Sequence, residues 1–435
     1  MAEKIRIILP EKYDLVVGDT FQLFYRGVIE APNPYVYSIV VKCKEGKSFP
    51  RYYEYTPTAP GQHKLTLEVI DADFTVLGRG ETTLNVVVPK KPEKPLNILC
   101  IGASTTQDGH WIAEANRRIN GEGGAPEALG FGDAVNFVGT VHPTKHPEIG
   151  CEAYGGWHWG SFLSNKPGAI WAKVQNNIHP ENQHSLWKDE NGAIWQLETL
   201  QVDYLKFNRY MDHDSPVPVT PPLVHYQNAV NTNPIYFERC SECGASPFFD
   251  PDTGVIDFTT YAKRHNIESI DVVYAFLTIN GLASWEARNL PRAEYIQIVL
   301  GRAKQLISKI KEAFPHVQVR IMSPCGHSVT GGTGHSYGAN SPLSDCYDLF
   351  LYEHELELAQ RAWAKEEEWK DCVKAINLAG QVDMEHAFPA KPRPVNTRSQ
   401  VTELVGCNGV HLNVPGYLQI GDALYRNIIA DFMSE

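Results

Sequence analysis

Residues 96–106 have the sequence LNILCIGASTT, and this stretch decides the fold. Its first six residues are mostly apolar, which is typical of a strand buried on both faces of a parallel sheet. Small and hydroxyl residues follow from Gly102 to Thr106, and they predict a tight turn that places Ser104 at the start of a helix. Similar strand candidates recur along the chain, at residues 135–141, 270–279, 317–322 and 373–378.

Helical segments separate these strand candidates. The clearest one covers residues 292–314, where apolar residues recur at helical spacing. Further helices are predicted at about 110–119, at 350–369 and from Pro415 onward. Repeated strand-helix units predict an α/β fold with a parallel sheet that is covered on both faces.

A β insertion is predicted within this α/β region, at about residues 185–245. Asn191-Gly192 is a hairpin signal, and residues 194–198 and 202–207, which follow it, alternate between apolar and polar residues like two strands. Periodicity of two residues is typical of strands, so this segment interrupts the strand-helix alternation.

The first 88 residues have a different texture from the rest of the chain. Short alternating segments separated by turn residues predict strands at 5–9, 21–28, 37–43, 52–55, 63–70 and 82–88. Six short strands of this kind predict a β-sandwich of the immunoglobulin type over residues 1–88. Residues 89–95 contain three prolines and three lysines and predict a stiff linker. The α/β domain then covers residues 96–435.

Composition excludes several classes of protein. The chain has 435 residues, with 39 Lys and Arg against 51 Asp and Glu, which gives a net charge of −12. This balance disfavours a nucleic-acid partner, because phosphate binding needs a basic surface. No apolar run reaches the roughly 18 residues that span a bilayer, so no membrane insertion is expected.

The compartment is left open by the sequence. The N-terminus lacks the pattern of a signal peptide, so the protein is expected either to be cytoplasmic or to be secreted with its signal trimmed. Nine cysteines are scattered without the density of a disulfide scaffold. Cys240 and Cys243 have half of the spacing of a zinc knuckle, but no second pair matches them, and the sequence predicts no metal. The sequence does not determine the oligomeric state.

Polar or small residues follow several of the predicted strands. Ser104 follows the first strand, Gly156 follows the second and Asn280 follows the third, while Asn408 and His411 precede the last helix. Reactive groups in parallel sheets gather where the carboxyl ends of the strands meet, so these side chains are expected to converge. A Ser, a His and backbone or amide N–H donors are the groups that nucleophilic acyl transfer needs.

The four segments, or blocks, that contain these residues resemble those of the SGNH hydrolases, also called GDSL-type esterases, in order and spacing over residues 96–435. The resemblance implies a flavodoxin-like three-layer hydrolase domain that needs no cofactor. It also implies that Ser104 is the nucleophile, that His411 is the base and that Gly156 and Asn280 complete the oxyanion hole. With an N-terminal β-sandwich, the chain is similar to bacterial carbohydrate esterases. The implied substrate is therefore an acylated saccharide, with O-acetyl as the acyl group.

Three of the blocks depart from the family pattern. The first block has Gly-Ala-Ser in place of Gly-Asp-Ser, and Thr278 and Gly281 flank Asn280 where the family usually has Gly and Asp. Asn408 occupies the position where the family usually has the acid of the triad. Its carbonyl can orient His411 but cannot stabilise an imidazolium as a carboxylate does.

The missing acid leaves two alternatives. The protein either works as a Ser-His dyad or recruits another acceptor for His411. The candidate acceptors are a backbone carbonyl, Asp383 and Glu403, and the sequence does not choose among them.

Aromatic residues crowd the second block. Tyr154, Trp157 and Trp159 lie close to Gly156 in the sequence. Aromatic rings beside a polar pocket suit the apolar face of a sugar, so the three are candidate substrate-binding residues. Packing in the core at a strand end is the equally good alternative for each of them.

The sequence thus predicts a serine esterase, with two other functions left open. One is a lipase or thioesterase that takes longer acyl chains. The other is a catalytically inactive carbohydrate-binding protein on the same fold, and Asn408 is the reason to consider it.

Overall fold

The structure, a computed structural model, describes residues 4–163, 170–174, 185–190, 192–201, 204–209, 222–228, 233–235, 237–239, 246–250, 253–278, 280, 290–329 and 346–435. Two cores of buried apolar side chains divide these residues into an N-terminal lobe and a larger α/β lobe. None of the helices in these ranges has the length and apolar character needed to cross a membrane.

Two sheets form the N-terminal lobe. Its strands are β1 (Lys12–Val16), β2 (Phe21–Phe24), β3 (Ser38–Lys42), β4 (Lys47–Ser48), β5 (Tyr52–Tyr55), β6 (Gly61–Ile70) and β7 (Val76–Val87). One sheet has the order β1-β7-β6-β3 and the other β2-β5-β4, and side chains from both share one core. The immunoglobulin-type topology stays a prediction.

Three of the predicted N-terminal strands differ from the structure, and one of them, predicted at 82–88, begins at Val76. β1 and β4 are not among the predicted strands. Residues 5–9 form no strand, and Ile7 makes only an isolated bridge to Ile29. The strand predicted at 21–28 ends at Phe24, because a 3-10 turn at Tyr25–Gly27 follows it. A second 3-10 turn covers Pro34–Val36.

The remaining elements follow in chain order. The strands are β8 (Leu96–Gly102), β9 (Val135–Val138), β10 (Glu152–Ala153), β11 (Ile170–Val174), β12 (Leu186–Lys188), β13 (Ile194–Gln201), β14 (Tyr204–Arg209), β15 (Val224–Gln227), β16 (Phe237–Arg239), β17 (Val272–Phe276), β18 (Gln318–Met322), β19 (Val373–Ile376), β20 (Ala390–Pro394) and β21 (Thr402–Gly406). The helices are α1 (Ser104–Gln107), α2 (His110–Asn120), α3 (Trp159–Phe162), α4 (Phe258–Arg264), α5 (Arg292–Ala313), α6 (Cys346–Trp363) and α7 (Val414–Phe432).

A parallel sheet forms the centre of the α/β lobe, as the sequence predicts. β9 and β10 both pair with β8, and the sheet continues through β17, β18 and β19. With β8 numbered 1, β9 and β10 together numbered 2, and β17, β18 and β19 numbered 3 to 5, the order across the sheet is 2-1-3-4-5. Every pair is parallel. All five residues of β17 are buried, so both faces of the sheet are covered. In this order, ligands bind where β8 and β17 separate at their carboxyl ends.

Gly102 allows the turn from β8 into α1. A Cβ on Gly102 would lie 2.0 Å from Oγ1 of Thr106, which is buried. No larger residue fits between the end of the strand and the first helical turn. Glycine at this position therefore lets Ser104 begin α1 directly above the sheet.

A second, antiparallel sheet contains the predicted β insertion. Its six strands have the order β15-β12-β13-β14-β11-β16. β12 and β13 form the hairpin that Asn191-Gly192 predicts, with Lys188 opposite Ile194 and Gly192 at a φ of 84°. The sheet begins at Ile170, which lies before the start predicted at about residue 185.

The two lobes meet through buried charges. Asp19 of the N-terminal lobe accepts a hydrogen bond from Nη2 of Arg118 at 2.7 Å and another from Nε of Arg426 at 2.5 Å. The segment predicted as a stiff linker is held as well, because the N–H of Lys90 donates to the carbonyl of Met433 at 2.7 Å. The lobes therefore pack together as a buried interface.

Candidate active site

Ser104 and His411 lie side by side, although 307 positions separate them in the chain. Ser104 is the first residue of α1, and His411 lies in the loop between β21 and α7. The Nε2 atom of His411 is 2.8 Å from the Oγ atom of Ser104. This is the contact that a nucleophile and its general base make, and the strand-end pattern predicts it.

Asn408 holds His411 from the other side. Its Oδ1 atom accepts hydrogen bonds from the backbone N–H groups of Val410 at 3.0 Å and His411 at 2.9 Å. These two donors fix the orientation of the amide, because an NH2 group facing them would have nothing to donate to. The Nδ2 atom of Asn408 therefore faces Nδ1 of His411, at 3.2 Å. The sequence predicts that the carbonyl of Asn408 faces Nδ1 of His411. The amide is reversed because the two backbone N–H groups hold that carbonyl instead.

The Asn408 amide selects a tautomer of His411. An NH2 group only donates, so the hydrogen bond requires an unprotonated Nδ1 and leaves the imidazole proton on Nε2. In that tautomer His411 donates to Ser104 instead of accepting its proton. A general base needs the opposite tautomer, with the proton on Nδ1 and a free lone pair on Nε2.

His411 is partly buried, which affects its charge. Burial lowers the pKa of the imidazole from its ordinary value of 6.5, and the nearby carboxylate of Asp108 opposes this shift. The imidazole is therefore neutral at neutral pH. Asp108 follows Ser104 by four residues at the end of α1, and this spacing is the signal by which it could have been found in the sequence.

Asn280 connects two of the predicted blocks. Its Nδ2 atom donates to the carbonyl of Trp157 at 2.9 Å, which joins the segment after β17 to the loop after β10. Gly156 lies in that loop with a φ of 80°, a left-handed conformation that favours glycine. An amide NH2 has a second N–H, so Asn280 can brace the loop and still offer a donor.

The three aromatic candidates belong to the core. Tyr154, Trp157 and Trp159 are 4%, 7% and 3% exposed. The rings of Tyr154 and Trp157 pack with their centroids 4.3 Å apart. This burial favours core packing, the second of the two interpretations, and leaves little ring surface for a sugar.

Glu152 is a buried carboxylate on β10, just before the loop that contains Gly156. It is not among the site residues predicted from the sequence. It accepts hydrogen bonds from the hydroxyls of Tyr154 and Tyr261 and from the N–H of Thr140. Burial raises the pKa of the Glu152 carboxyl, and the hydrogen bonds oppose this shift. An acidic residue two positions before a tyrosine, in the block that follows the second predicted strand, is the signal that marks it.

The two carboxylates that the sequence offers as acceptors for His411, Asp383 and Glu403, lie in other environments. The carboxylate of Asp383 is held by Arg51, with Nη1 and Nη2 each 3.0 Å from one of its oxygens. Glu403 lies exposed on β21, opposite Arg393. The side chain that the structure places at Nδ1 of His411 is Asn408.

Among the described residues, one group of side chains has the spacing of metal ligands, namely Asp383, Glu385 and His386. Arg51 already occupies it, because its Nη1 atom lies 3.0 Å from Asp383, 2.7 Å from Glu385 and 3.0 Å from His386. A guanidinium is a permanent cation, so this cluster is an ion-pair network between the lobes. Cys240 and Cys243 lie outside the described residues.

Comparison with known proteins gives only distant likenesses. No family model matches the chain, and no curated protein matches its sequence. Similar solved structures include a possible lipase from Chitinophaga pinensis (11% identity, 77% of this chain and 97% of that one, TM-score 0.34). A second is a carbohydrate esterase family 2 enzyme with a carbohydrate-binding domain from Corynascus thermopiles (13% identity, 98% of each chain, TM-score 0.29). A third is a peptidoglycan O-acetylesterase (11% identity, 77% of this chain and 91% of that one, TM-score 0.33).

Proposed function

We propose that the protein is a serine esterase that hydrolyses short acyl esters, O-acetyl groups on carbohydrate in particular. The observation that carries the proposal is the 2.8 Å contact between Ser104 Oγ and His411 Nε2 at the carboxyl end of a parallel sheet. A serine hydroxyl becomes a competent nucleophile when a neutral histidine can take its proton. Partial burial lowers the pKa of His411 below 6.5, so the imidazole is neutral at neutral pH.

The reaction has two acyl-transfer steps. The Oγ atom of Ser104 attacks the ester carbonyl while His411 takes the hydroxyl proton, and the sugar alkoxide leaves with that proton. Water then attacks the acyl-serine, with His411 as base, and releases the carboxylic acid. In both steps the neutral imidazole must carry its proton on Nδ1, so that Nε2 is free to accept one. A proton on Nδ1 faces the N–H of the Asn408 amide, so Asn408 slows both steps.

Three N–H donors are candidates for the oxyanion hole. They are the backbone N–H groups of Ser104 and Gly156 and the side-chain amide of Asn280. Each would donate to the oxygen that becomes negative in the tetrahedral intermediate, and losing one such donor typically costs about 10²–10³ in rate. The scheme uses no metal and no cofactor.

The substrate class rests on the resemblance. SGNH hydrolases that carry an N-terminal β-sandwich are similar to carbohydrate esterases, which makes an acylated saccharide the proposed substrate. A lipase or thioesterase would use the same Ser-His chemistry on longer acyl chains. A series of aryl esters from acetate to octanoate separates the two, because a pocket for short acyl groups loses rate beyond propionate.

The orientation of Asn408 favours a second candidate function. An amide that donates to Nδ1 opposes base catalysis. A carbohydrate-binding protein without hydrolytic activity needs no general base and can tolerate such an amide. Such a protein would bind saccharides and leave their acetyl groups in place.

One experiment tests both functions. Hydrolysis of 4-nitrophenyl acetate and of acetylated oligosaccharides is measured for the unmodified protein, for Ser104→Ala and for a matched surface control, Ser38→Ala on β3. An esterase loses its activity in Ser104→Ala alone. Activity that survives in Ser104→Ala overturns the site assignment. Saccharide binding without any deacetylation establishes the second function.

A further inference from the structure

The loop after β18, at residues 323–328, contacts the loop that carries His411. The backbone N–H of Ser328 donates to the carbonyl of Gly409 at 3.1 Å. Gly409 directly follows Asn408, whose side-chain amide faces Nδ1 of His411 at 3.2 Å. The peptide backbone beside the Asn408 amide is therefore held from the loop after β18.

Two side chains anchor the loop after β18. At its start, the hydroxyl of Ser323 accepts a hydrogen bond from the N–H of Leu378 at 2.9 Å. Near its end, Nδ1 of His327 lies 2.9 Å from Oε2 of Glu353 on α6. The side chains of His327 and Glu353 are 1% and 5% exposed, so water does not compete for this contact. An N–H that donates to a carboxylate makes a charge-assisted hydrogen bond, which is about twice as strong as a neutral one.

The anchor at His327 acts directly on the N–H that reaches Gly409. A peptide unit is planar, so the backbone of His327 and the N–H of Ser328 move together. Ser328 is fully buried, and its N–H has a carbonyl of the other loop as its acceptor. Holding the ring of His327 on α6 therefore also holds the orientation of this N–H.

We propose that His327 and Glu353 are positioning residues for His411. Both are buried, so neither offers surface to a substrate, and they act through the loop after β18. Their contact fixes the N–H of Ser328 and with it the backbone beside Asn408. The Asn408 amide then keeps its place at Nδ1 of His411 and selects the tautomer of the imidazole. This inference rests on the proposed function, because it concerns the same site.

A matched pair of variants tests the proposal. Leucine and asparagine have the same shape, and the side-chain amide of asparagine can lie where Nδ1 of histidine lies. His327→Leu therefore removes the donor to Glu353, whereas His327→Asn keeps it, with an equal loss of ring volume. The readout is the pair of nitrogen-15 chemical shifts of the His411 ring, in full-length protein labelled with nitrogen-15 histidine. The signals that disappear in His411→Gln identify this ring.

The unmodified protein should show His411 with an unprotonated Nδ1 and a protonated Nε2. His327→Leu should move both shifts toward the average of the two tautomers, and His327→Asn should keep them in place. Unchanged shifts in His327→Leu, or an equal change in both variants, overturns the proposal. So does a ring without a fixed tautomer in the unmodified protein. The measurement needs no turnover, so a protein without esterase activity overturns the proposed function alone.

A double variant keeps the test valid if His327→Leu does not fold. That single substitution leaves the buried Glu353 without its imidazole partner, which is strongly destabilising. His327→Leu/Glu353→Met replaces both polar groups by apolar groups of similar shape, a change that can be nearly neutral for stability. It also lacks the anchor, so it should give the same change in the His411 shifts. Thermal unfolding shows which variants are folded, and a folded double variant with the original shifts overturns the proposal.

Discussion

Asn408 donates the N–H of its side-chain amide toward Nδ1 of His411, across 3.2 Å. The position and the distance suit the acid of a catalytic triad, but the polarity of the hydrogen bond is reversed. An aspartate would accept a proton from Nδ1 and stabilise the imidazolium, whereas the amide keeps Nδ1 unprotonated. One oxygen-to-nitrogen exchange thus separates this site from a complete Ser-His-Asp arrangement.

Asn408→Asp should therefore raise esterase activity. The new carboxylate keeps one oxygen on the N–H groups of Val410 and His411 and places the other at Nδ1. It favours the tautomer in which Nε2 accepts the Ser104 proton. The reverse exchange in a serine protease costs about 10⁴ in kcat, so we expect a gain of at least about 10² and up to that size. The measurement is kcat on an aryl acetate.

Two controls accompany this variant. Asn396→Asp adds the same charge on the exposed turn between β20 and β21 and should leave kcat unchanged. Asn408→Ala removes the amide donor without supplying an acceptor, so it should retain substantial activity. A kcat for Asn408→Asp no higher than that of the unmodified protein would show that the tautomer of His411 does not limit the reaction.

The pH dependence of kcat/KM should report the burial of His411. A general base works in its neutral form, so activity falls on the acid side through the pKa of the free protein's histidine. Burial lowers that pKa, and the acid limb should have its midpoint below pH 6.5. In Asn408→Asp the added carboxylate favours the imidazolium, so the limb should move to higher pH. An acid limb at or above pH 6.5 in the unmodified protein contradicts the assignment of His411 as a buried base.

Asp19 should be a major contributor to stability, because its buried carboxylate pairs with two arginines between the lobes. Asp19→Asn keeps the shape of the side chain but removes the carboxylate that pairs with the buried Arg426, and it leaves Arg118 with Asp422 as its carboxylate partner. Breaking a buried pair in this way costs about 3–5 kcal/mol of unfolding free energy. Urea denaturation measures the loss. Lys64→Gln, at the exposed pair with Glu81, is the control and should cost about 1 kcal/mol or less. Equal effects of the two substitutions would mean that the lobe interface does not depend on Asp19.

The sequence predicts the position of the site better than its chemistry. Ser104 could be placed because it follows a strand of the parallel sheet, and the carboxyl ends of such strands meet at one edge. His411 could be placed by its position before the last helix, in the order of blocks that the resemblance implies. The reversed amide of Asn408 could not be predicted, because it depends on where two backbone N–H groups point after the chain has folded. The pairing of Asp19 with Arg118 was equally hidden, because no local periodicity relates residues 99 positions apart.

Glu152 should make stability depend on pH in the opposite direction from a carboxylate whose pKa is lowered by an ion pair. Burial raises the pKa of Glu152 above 4.5, so the folded state holds its proton at a pH where the unfolded state has lost it. Its contribution is fully present below pH 4.5 and is lost as the pH rises through the folded-state pKa. Glu152→Gln cannot ionise and keeps an oxygen for Tyr261 and Thr140, with an NH2 group that Tyr154 can accept from.

The stability of Glu152→Gln relative to the unmodified protein should therefore increase between pH 4.5 and pH 7.5. Urea denaturation at the two pH values measures the difference in unfolding free energy. Glu403→Gln, at an exposed position on β21, is the matched control, and its difference should stay constant over the same interval. A constant difference for Glu152→Gln as well would show that the three hydrogen bonds to the carboxylate outweigh its burial, and that Glu152 is ionised in the folded protein across this range.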